Sequence, residues 1–202
     1  MLSVGITGGI GSGKSVVCEV FRILGIHVYS ADERAKSLME ESVPLRRELI
    51  KILGADALDA YGKLDRATIS NRIFNDPALL ARVNSAVHPF VIHDFRRWRD
   101  SCGDQPYVLM ESAIILEAGL REEVDALILV DAPESVRTER IINRDKRSVE
   151  AIKAIMARQW TQEKKSAFAD YIITNDDSHA IIPQVIEIDK SLRKKSEANS
   201  AC

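Results

Sequence analysis

The chain has 202 residues, 46% of them apolar and 29% charged, with 28 Lys and Arg against 30 Asp and Glu for a net charge of −2. That is enough chain and enough apolar content to bury a core, as one domain with an insertion or two small lobes. The near-neutral charge gives no global pull toward nucleic acid, and no apolar run approaches the ~20 residues of a membrane span, so neither is an expected partner.

The apolar run Leu2-Ser3-Val4-Gly5-Ile6 predicts a buried strand. It starts at once, with no signal peptide before it, so the expected compartment is the cytoplasm. Directly after it, Gly8-Gly9-Ile10-Gly11-Ser12-Gly13-Lys14-Ser15 fits G-x-x-x-x-G-K-[ST] in full, and a helical pattern follows over 16–24. Strand, glycine loop and helix form the context in which this motif holds phosphate. The glycines let the backbone wrap closely and turn successive N–H groups inward, which makes an anion nest at a helix N-terminus. Lys14 adds a point charge for the β- and γ-phosphates of a nucleoside triphosphate, and the Ser15 hydroxyl suits Mg²⁺. Cys18 is expected inside this first helix. Together with Cys102 and Cys202 it lacks any C-x-x-C or ligand spacing, so the cysteines read as reduced thiols rather than metal ligands.

A short second strand over 26–29 leads to Asp32. A carboxylate just past a strand end suits acceptance of a hydroxyl proton in phosphoryl transfer; equally, it suits an N-cap for a helix through 33–36. Residues 31–100 carry almost no strand signal. Helical periodicity over 45–53, 67–74 and 79–98, broken by Gly54, Gly62 and an Asp76-Pro77 helix start, predicts an inserted helical lobe over about 31–103. Such a lobe is a natural place for a second substrate.

A third strand over 107–110 ends at Glu111, which suits Mg²⁺ directly or through water, or else is a solvated strand-end charge. A fourth strand over 126–130 ends at Asp131, where Ala132-Pro133-Glu134 reads as helix entry. Arg137, Arg140 and Arg144 recur at i, i+3 and i+7 on one helical face, with Arg147 shortly after. They fall in a second excursion, about 137–159. It reads either as a solvated charged face or as a lid whose guanidinium groups neutralise a transferring phosphoryl group, Arg140 and Arg144 above all. A fifth strand over 171–174 completes five continuous apolar runs separated by helices, the signature of a parallel α/β sheet covered on both faces. Loss of apolar periodicity over about 190–202 predicts a frayed tail. The core is then about 1–30, 104–136 and 160–195.

These residues resemble the dephospho-coenzyme A kinase family. The similarity runs through Gly5-Ile6-Thr7 and the glycine loop, Gly25-Ile26-His27-Val28-Tyr29-Ser30-Ala31-Asp32, Gly62-Lys63-Leu64-Asp65-Arg66, Ile73-Phe74-Asn75-Asp76-Pro77 and Val87-His88-Pro89. It continues through Ile114-Ile115-Leu116-Glu117, Gly119-Leu120, Val130-Asp131-Ala132-Pro133, Arg140, Arg144-Asp145, Gln159, Glu163-Lys164 and Ala169-Asp170-Tyr171-Ile172-Ile173. Val16 departs from the family's usual Thr, Ala113 from its proline, and Glu111 from its aspartate. The resemblance implies a P-loop nucleoside-triphosphate hydrolase fold of the nucleotide-kinase type, with a five-stranded parallel sheet and an Arg-rich lid. It implies transfer of the ATP γ-phosphoryl group to the ribose 3′-hydroxyl of dephospho-CoA, with Mg²⁺, by a monomer. Catalysis would then fall to Asp32, Lys14 and Arg140, and ATP binding to Gly9, Gly11, Ser12, Gly13, Lys14, Ser15, Val16 and Arg144. Asp32 and His88 would serve the acceptor, and Ser15 and Glu111 the metal.

Two rival readings have less support. A kinase for nucleosides or their monophosphates does not account for Asp65-Arg66, His88-Pro89 and Glu117-x-Gly119. A nucleotide switch or motor needs a guanine reader or a transporter signature; Asn175-Asp176-Asp177 lacks the reader's lysine, and no Leu-Ser-Gly-Gly-Gln run occurs.

Overall fold

A computed structural model describes residues 1–146 and 148–200. The chain divides into two compact units, one made of Met1–Ser30 with the chain from Trp98 onward, the other of Ala31–Arg97. In the first, β1 (Leu2–Thr7), β2 (Val28–Ser30), β3 (Tyr107–Glu111), β4 (Ala126–Asp131) and β5 (Tyr171–Thr174) form one all-parallel sheet in the order β2-β3-β1-β4-β5. All five predicted strands are present. The second starts two residues late because Ile26 and His27 still leave the Gly25 turn, although the His27 carbonyl already accepts from Leu109 N.

Every residue of β1 is buried, as expected of a central parallel strand. Leu2, Val4 and Ile6 alternate onto one face, where α1 (Lys14–Ile23) and α9 (Ile181–Ser200) cover them with Val17, Phe21, Val185, Ile188 and Leu192. Phe21 meets Tyr107 edge-on, ring centroids 6.4 Å apart. Cys18 is buried in α1 as expected, and burial pushes its thiol up to about 12, so it is inert. On the opposite face Gly5 admits Leu127, Ile115 and Val124, whose side chains occupy the space a Cβ would need.

The expected fraying over 190–202 does not occur in its described part. α9 remains helical to Ser200, and its buried stripe runs Val185, Ile188, Asp189, Leu192, Ser196 at helical spacing. Apolar periodicity failed as a signal because two members of that stripe are polar and satisfied inside. Asp189 accepts from the Tyr107 hydroxyl at 2.6 Å, and Ser196 Oγ donates to the Pro106 carbonyl at 2.6 Å. Arg193 closes a further ion pair on Asp189. Cys202 lies outside the described residues.

The second unit holds α2 (Ala31–Glu41), α3 (Val43–Leu53), α4 (Arg66–Asn75) and the part of α5 (Pro77–Ser101) up to Arg97. Its helix starts follow local chemistry. Ser42 caps α3, and Asp65 caps α4 by accepting from Ala67 N and Thr68 N; Asp76 accepts from Leu79 N at the Pro77 start. The buried Asp94 holds Arg34 through two bonds of 2.9 and 3.2 Å and also receives Arg97. α2 is a helix the periodicity did not bring out, since only Ala31 and Leu38 of it are buried.

Candidate active site

The glycine loop lies between β1 and α1, as its motif requires. Gly11 and Gly13 adopt φ of 82° and 90°, the left-handed region that a side chain disfavours. A Cβ on Gly13 would also collide with the Asn175 carboxamide. No side chain caps α1. Ser12 N turns back to the Gly9 carbonyl, and the amides of Val16 and Val17 both reach the Gly13 carbonyl. Among the described residues, the amides of Gly11, Gly13, Lys14 and Ser15 donate to no protein acceptor. Four N–H groups thus remain at the positive end of the α1 dipole, the requirement for holding phosphate oxygens.

Lys14 Nζ donates to the Gly8 carbonyl at 3.0 Å and stands 3.8 Å from Glu111 Oε1. The other Glu111 oxygen accepts from Ser30 Oγ at 3.1 Å. Glu111 therefore belongs to the loop's surroundings rather than to solvent, with its side chain only 14% exposed. Ser15 is exposed at the first turn of α1. A serine hydroxyl and a carboxylate are the hard oxygen donors Mg²⁺ prefers, and the ion takes few protein ligands beside phosphate and water, so the residues fit it. The Ser12 side chain is buried with its Oγ unbonded, so this residue serves the loop through its backbone; its carbonyl accepts from Asn175 Nδ2 at 2.8 Å. Val16, the next residue of α1, is exposed.

The arginine row separates into unlike members. Arg140 NH2 donates to Asn175 Oδ1 at 3.1 Å and pairs with Asp177, while its NH1 lies 3.5 Å from the Gly11 carbonyl. Arg144 instead forms a two-pronged pair with its neighbour Asp145 and is 65% exposed; that hydrogen-bonded partner raises its pKa. Both lie on α6 (Glu134–Asp145), but only Arg140 reaches the loop. Arg137, to which the row gave less weight, is buried against the loop. Its Nε donates to the Ala132 carbonyl at 3.1 Å, and its guanidinium fills the space beside Gly9. Burial lowers its pKa, opposed by the nearby carboxylates of Glu134, Asp131 and Glu163. Arg147 lies outside the described residues; α7 (Val149–Met156) follows it.

Asp131 does not serve helix entry. Pro133 precedes α6 with no side-chain cap, and Asp131 Oδ1 instead accepts from Gln162 Nε2 at 2.8 Å. The Oε1 of Gln162 accepts from Gly9 N at 3.2 Å, and Gln159 Oε1 accepts from Ile10 N at 2.9 Å. Nearby, the fully buried Lys165 of α8 (Gln162–Ser166) pairs with Glu117 at 3.0 Å and donates to the Ala113 carbonyl at 2.6 Å. Ala113 stands where a proline is expected, and this bond ties down the turn the proline would have stiffened. Burial lowers the Lys165 pKa, with Glu117 opposing. Gln162 and Lys165 carry no motif of their own, so only the folded chain brings them forward.

In the helical unit, Asp32 stands in the first turn of α2, which begins at Ala31, rather than before the helix where a cap would stand. There its charge is favourable to the helix dipole. His88 is half-buried within α5, and burial lowers its pKa.

The comparisons agree with one another. A family model described as dephospho-CoA kinase matches residues 2–180. A dephospho-CoA kinase of Porphyromonas gingivalis is 39% identical over 196 residues, covering 96% of each chain. A solved structure from Thermus thermophilus superposes with a TM-score of 0.82 at 28% identity, covering 94% of this chain and 96% of that one. A dephospho-CoA kinase structure from Campylobacter jejuni gives 0.68 at 26% identity, covering 96% and 98%.

Proposed function

This chain belongs to the dephospho-CoA kinase family, the kinases of the last step of coenzyme A biosynthesis, and from that premise we propose how its residues divide the work. ATP is the phosphoryl donor and the ribose 3′-hydroxyl of dephospho-CoA the acceptor. The observation that carries the assignment of the donor site is the set of four undonated amides at Gly11, Gly13, Lys14 and Ser15, with the Lys14 ammonium beside them. These amides and Lys14 bind the β- and γ-phosphates, and Arg140 offsets charge developing on the transferring group.

In the reaction the acceptor oxygen forms a bond to the γ-phosphorus while the bond from phosphorus to the β,γ-bridging oxygen breaks. The hydroxyl proton passes to the Asp32 carboxylate, and ADP leaves with the bond's electron pair. Ser15 and Glu111 would hold Mg²⁺, which when bound would supply charge neutralisation to the phosphates. Arg144 is the outer arginine of a lid over about 137–159.

The helical lobe, about 31–103 with His88, holds the acceptor. Support comes from a cleft of about 560 Å³ within the helical unit, lined by Met39, Leu64, Ile69, Ile73, Val83 and Val87. Its size and apolar walls suit a small-molecule arm such as pantetheine. No helix among the described residues is long and apolar enough to cross a membrane, and we place the protein in the cytoplasm as a monomer.

The test is ADP release with dephospho-CoA, AMP or nucleosides as acceptor, with and without a Mg²⁺ chelator. Release should depend on dephospho-CoA and on the metal, and ³¹P NMR of the product should show a 3′-phosphomonoester. Stimulation by another acceptor but not by dephospho-CoA would overturn the reading.

A further inference from the structure

The glycine loop has six amides between Gly9 and Ser15 that are not used in its own Ser12-to-Gly9 turn, and they divide into two sets. Four face no protein acceptor; the first two, Gly9 and Ile10, each donate to a glutamine carbonyl from more than 140 residues further along the chain, Gln162 at 3.2 Å and Gln159 at 2.9 Å. Gln162 is buried, and both ends of its carboxamide are committed. Its Nε2 donates to Asp131 Oδ1 at 2.8 Å and to the Val130 carbonyl at 3.2 Å. The surroundings fix the orientation of that group: turned over, it would set a donor against the Gly9 N–H and an oxygen against a carboxylate. The end of β4 therefore aims the Gln162 carbonyl at the loop.

The choice of residue type has an electrostatic consequence. A loop that gathers phosphate must leave some amides free and satisfy the rest elsewhere, since a buried N–H without a partner is costly. A carboxylate would satisfy them too, but it would place negative charge beside the site that must attract phosphate. A carboxamide oxygen does the same job while neutral. We propose that Gln159 and Gln162 are positioning residues for nucleotide binding: they hold the first two loop amides with uncharged acceptors, so that the remaining four converge on the phosphates. This inference rests on the reading of the loop as the ATP site, and it assigns a task to two side chains outside the phosphate-binding motif.

The experiment measures ADP binding by calorimetry, without acceptor, alongside thermal unfolding. Gln162→Ala and Gln159→Ala should each weaken ADP binding about tenfold, the scale of one lost hydrogen bond at a site that must be pre-formed. In steady state both should raise the KM for ATP and leave the KM for dephospho-CoA unchanged.

A charge exchange separates positioning from mere support. Gln162→Glu combined with Asp131→Asn keeps the same net charge, the hydrogen bond to position 131 and an acceptor for Gly9, gives up the bond to the Val130 carbonyl, and moves the charge next to the loop. The double variant should remain folded, less stable by the lost Val130 bond, and bind ADP at least about tenfold more weakly than wild type although Gly9 keeps its acceptor. Wild-type ADP affinity in the folded double variant would overturn the proposal, as would wild-type ADP affinity in a folded Gln162→Ala or Gln159→Ala protein. Should Gln162→Ala fail to fold, Gln159→Ala and the charge exchange decide the question on the same readouts. Because ADP binding involves no acceptor, these results are independent of whether dephospho-CoA is phosphorylated.

Discussion

Lys14 and Glu111 meet at the carboxyl ends of adjacent strands, Nζ to Oε1 at 3.8 Å, with the ammonium also bound to the Gly8 carbonyl and the carboxylate also held by Ser30. One charge thus links the phosphate loop after β1 to the end of β3, where the proposed metal carboxylate lies. Parallel pairing sets this meeting: Ile6 of β1 is in register with Glu111, and Ser30 of β2 with the same residue.

Lys14→Ala removes that link together with the charge proposed for the β- and γ-phosphates. Turnover should fall by ~10²-fold or more, the scale seen when a transition-state donor is lost. Stopped-flow or coupled ADP-release assays measure it, with circular dichroism confirming the fold. A kcat near wild type would remove Lys14 from the mechanism.

Asp32→Asn keeps the size and polarity of a side chain in the first turn of α2 but removes its basicity. Phosphoryl transfer should drop ~10²–10⁴-fold while ADP affinity stays near wild type. The opposite pattern, lost nucleotide affinity with unchanged turnover, would assign Asp32 a role other than general base.

Lys165 and Glu117 form an ion pair whose lysine is fully buried. Removing one partner leaves an uncompensated buried charge, so Lys165→Met should cost ~3–5 kcal/mol in urea unfolding. Adding Glu117→Gln neutralises the orphan, keeps an acceptor for the Trp160 amide, and should return a substantial part of that loss. Equal stability of the single and double variants would refute the charge argument.

His88 predicts a pH effect of known sign. Burial lowers its pKa in the folded state, so below the ordinary imidazole value of ~6.5 the unfolded chain binds more protons than the folded one. Stability from this group is therefore present above that value and is lost as the pH falls through the window beneath it. Chemical denaturation between pH 7.5 and 5 should show a steeper acid-side loss for wild type than for His88→Asn. Parallel curves would mean the histidine titrates alike in both states.

Leu192 tests the C-terminal helix. It is fully buried against the sheet, and Leu192→Ala should cost ~2–5 kcal/mol, the range for truncating a packed core leucine. A frayed segment would give no measurable change in the unfolding midpoint.

The sequence alone determined the glycine loop between strand and helix, the five parallel strands and the helix start at Asp76-Pro77, because each rests on local chemistry. Glycines at set spacing, continuous apolar runs and a proline start act within a few residues of themselves. The ordered motifs of the family resemblance added the reaction, and the comparisons bear out that family. What only the tertiary structure decided depends on partners distant in the chain. Arg137 and Arg140 reach the loop while Arg144 turns to Asp145, although all three share one helical face, since a face says nothing about what is packed on it. Asp189 and Ser196 keep α9 ordered through hydrogen bonds to Tyr107 and Pro106 that hydropathy scores as interruptions. Gln159 and Gln162 matter only because folding carries them to Gly9 and Ile10, where a neutral oxygen can satisfy an amide without opposing the phosphate.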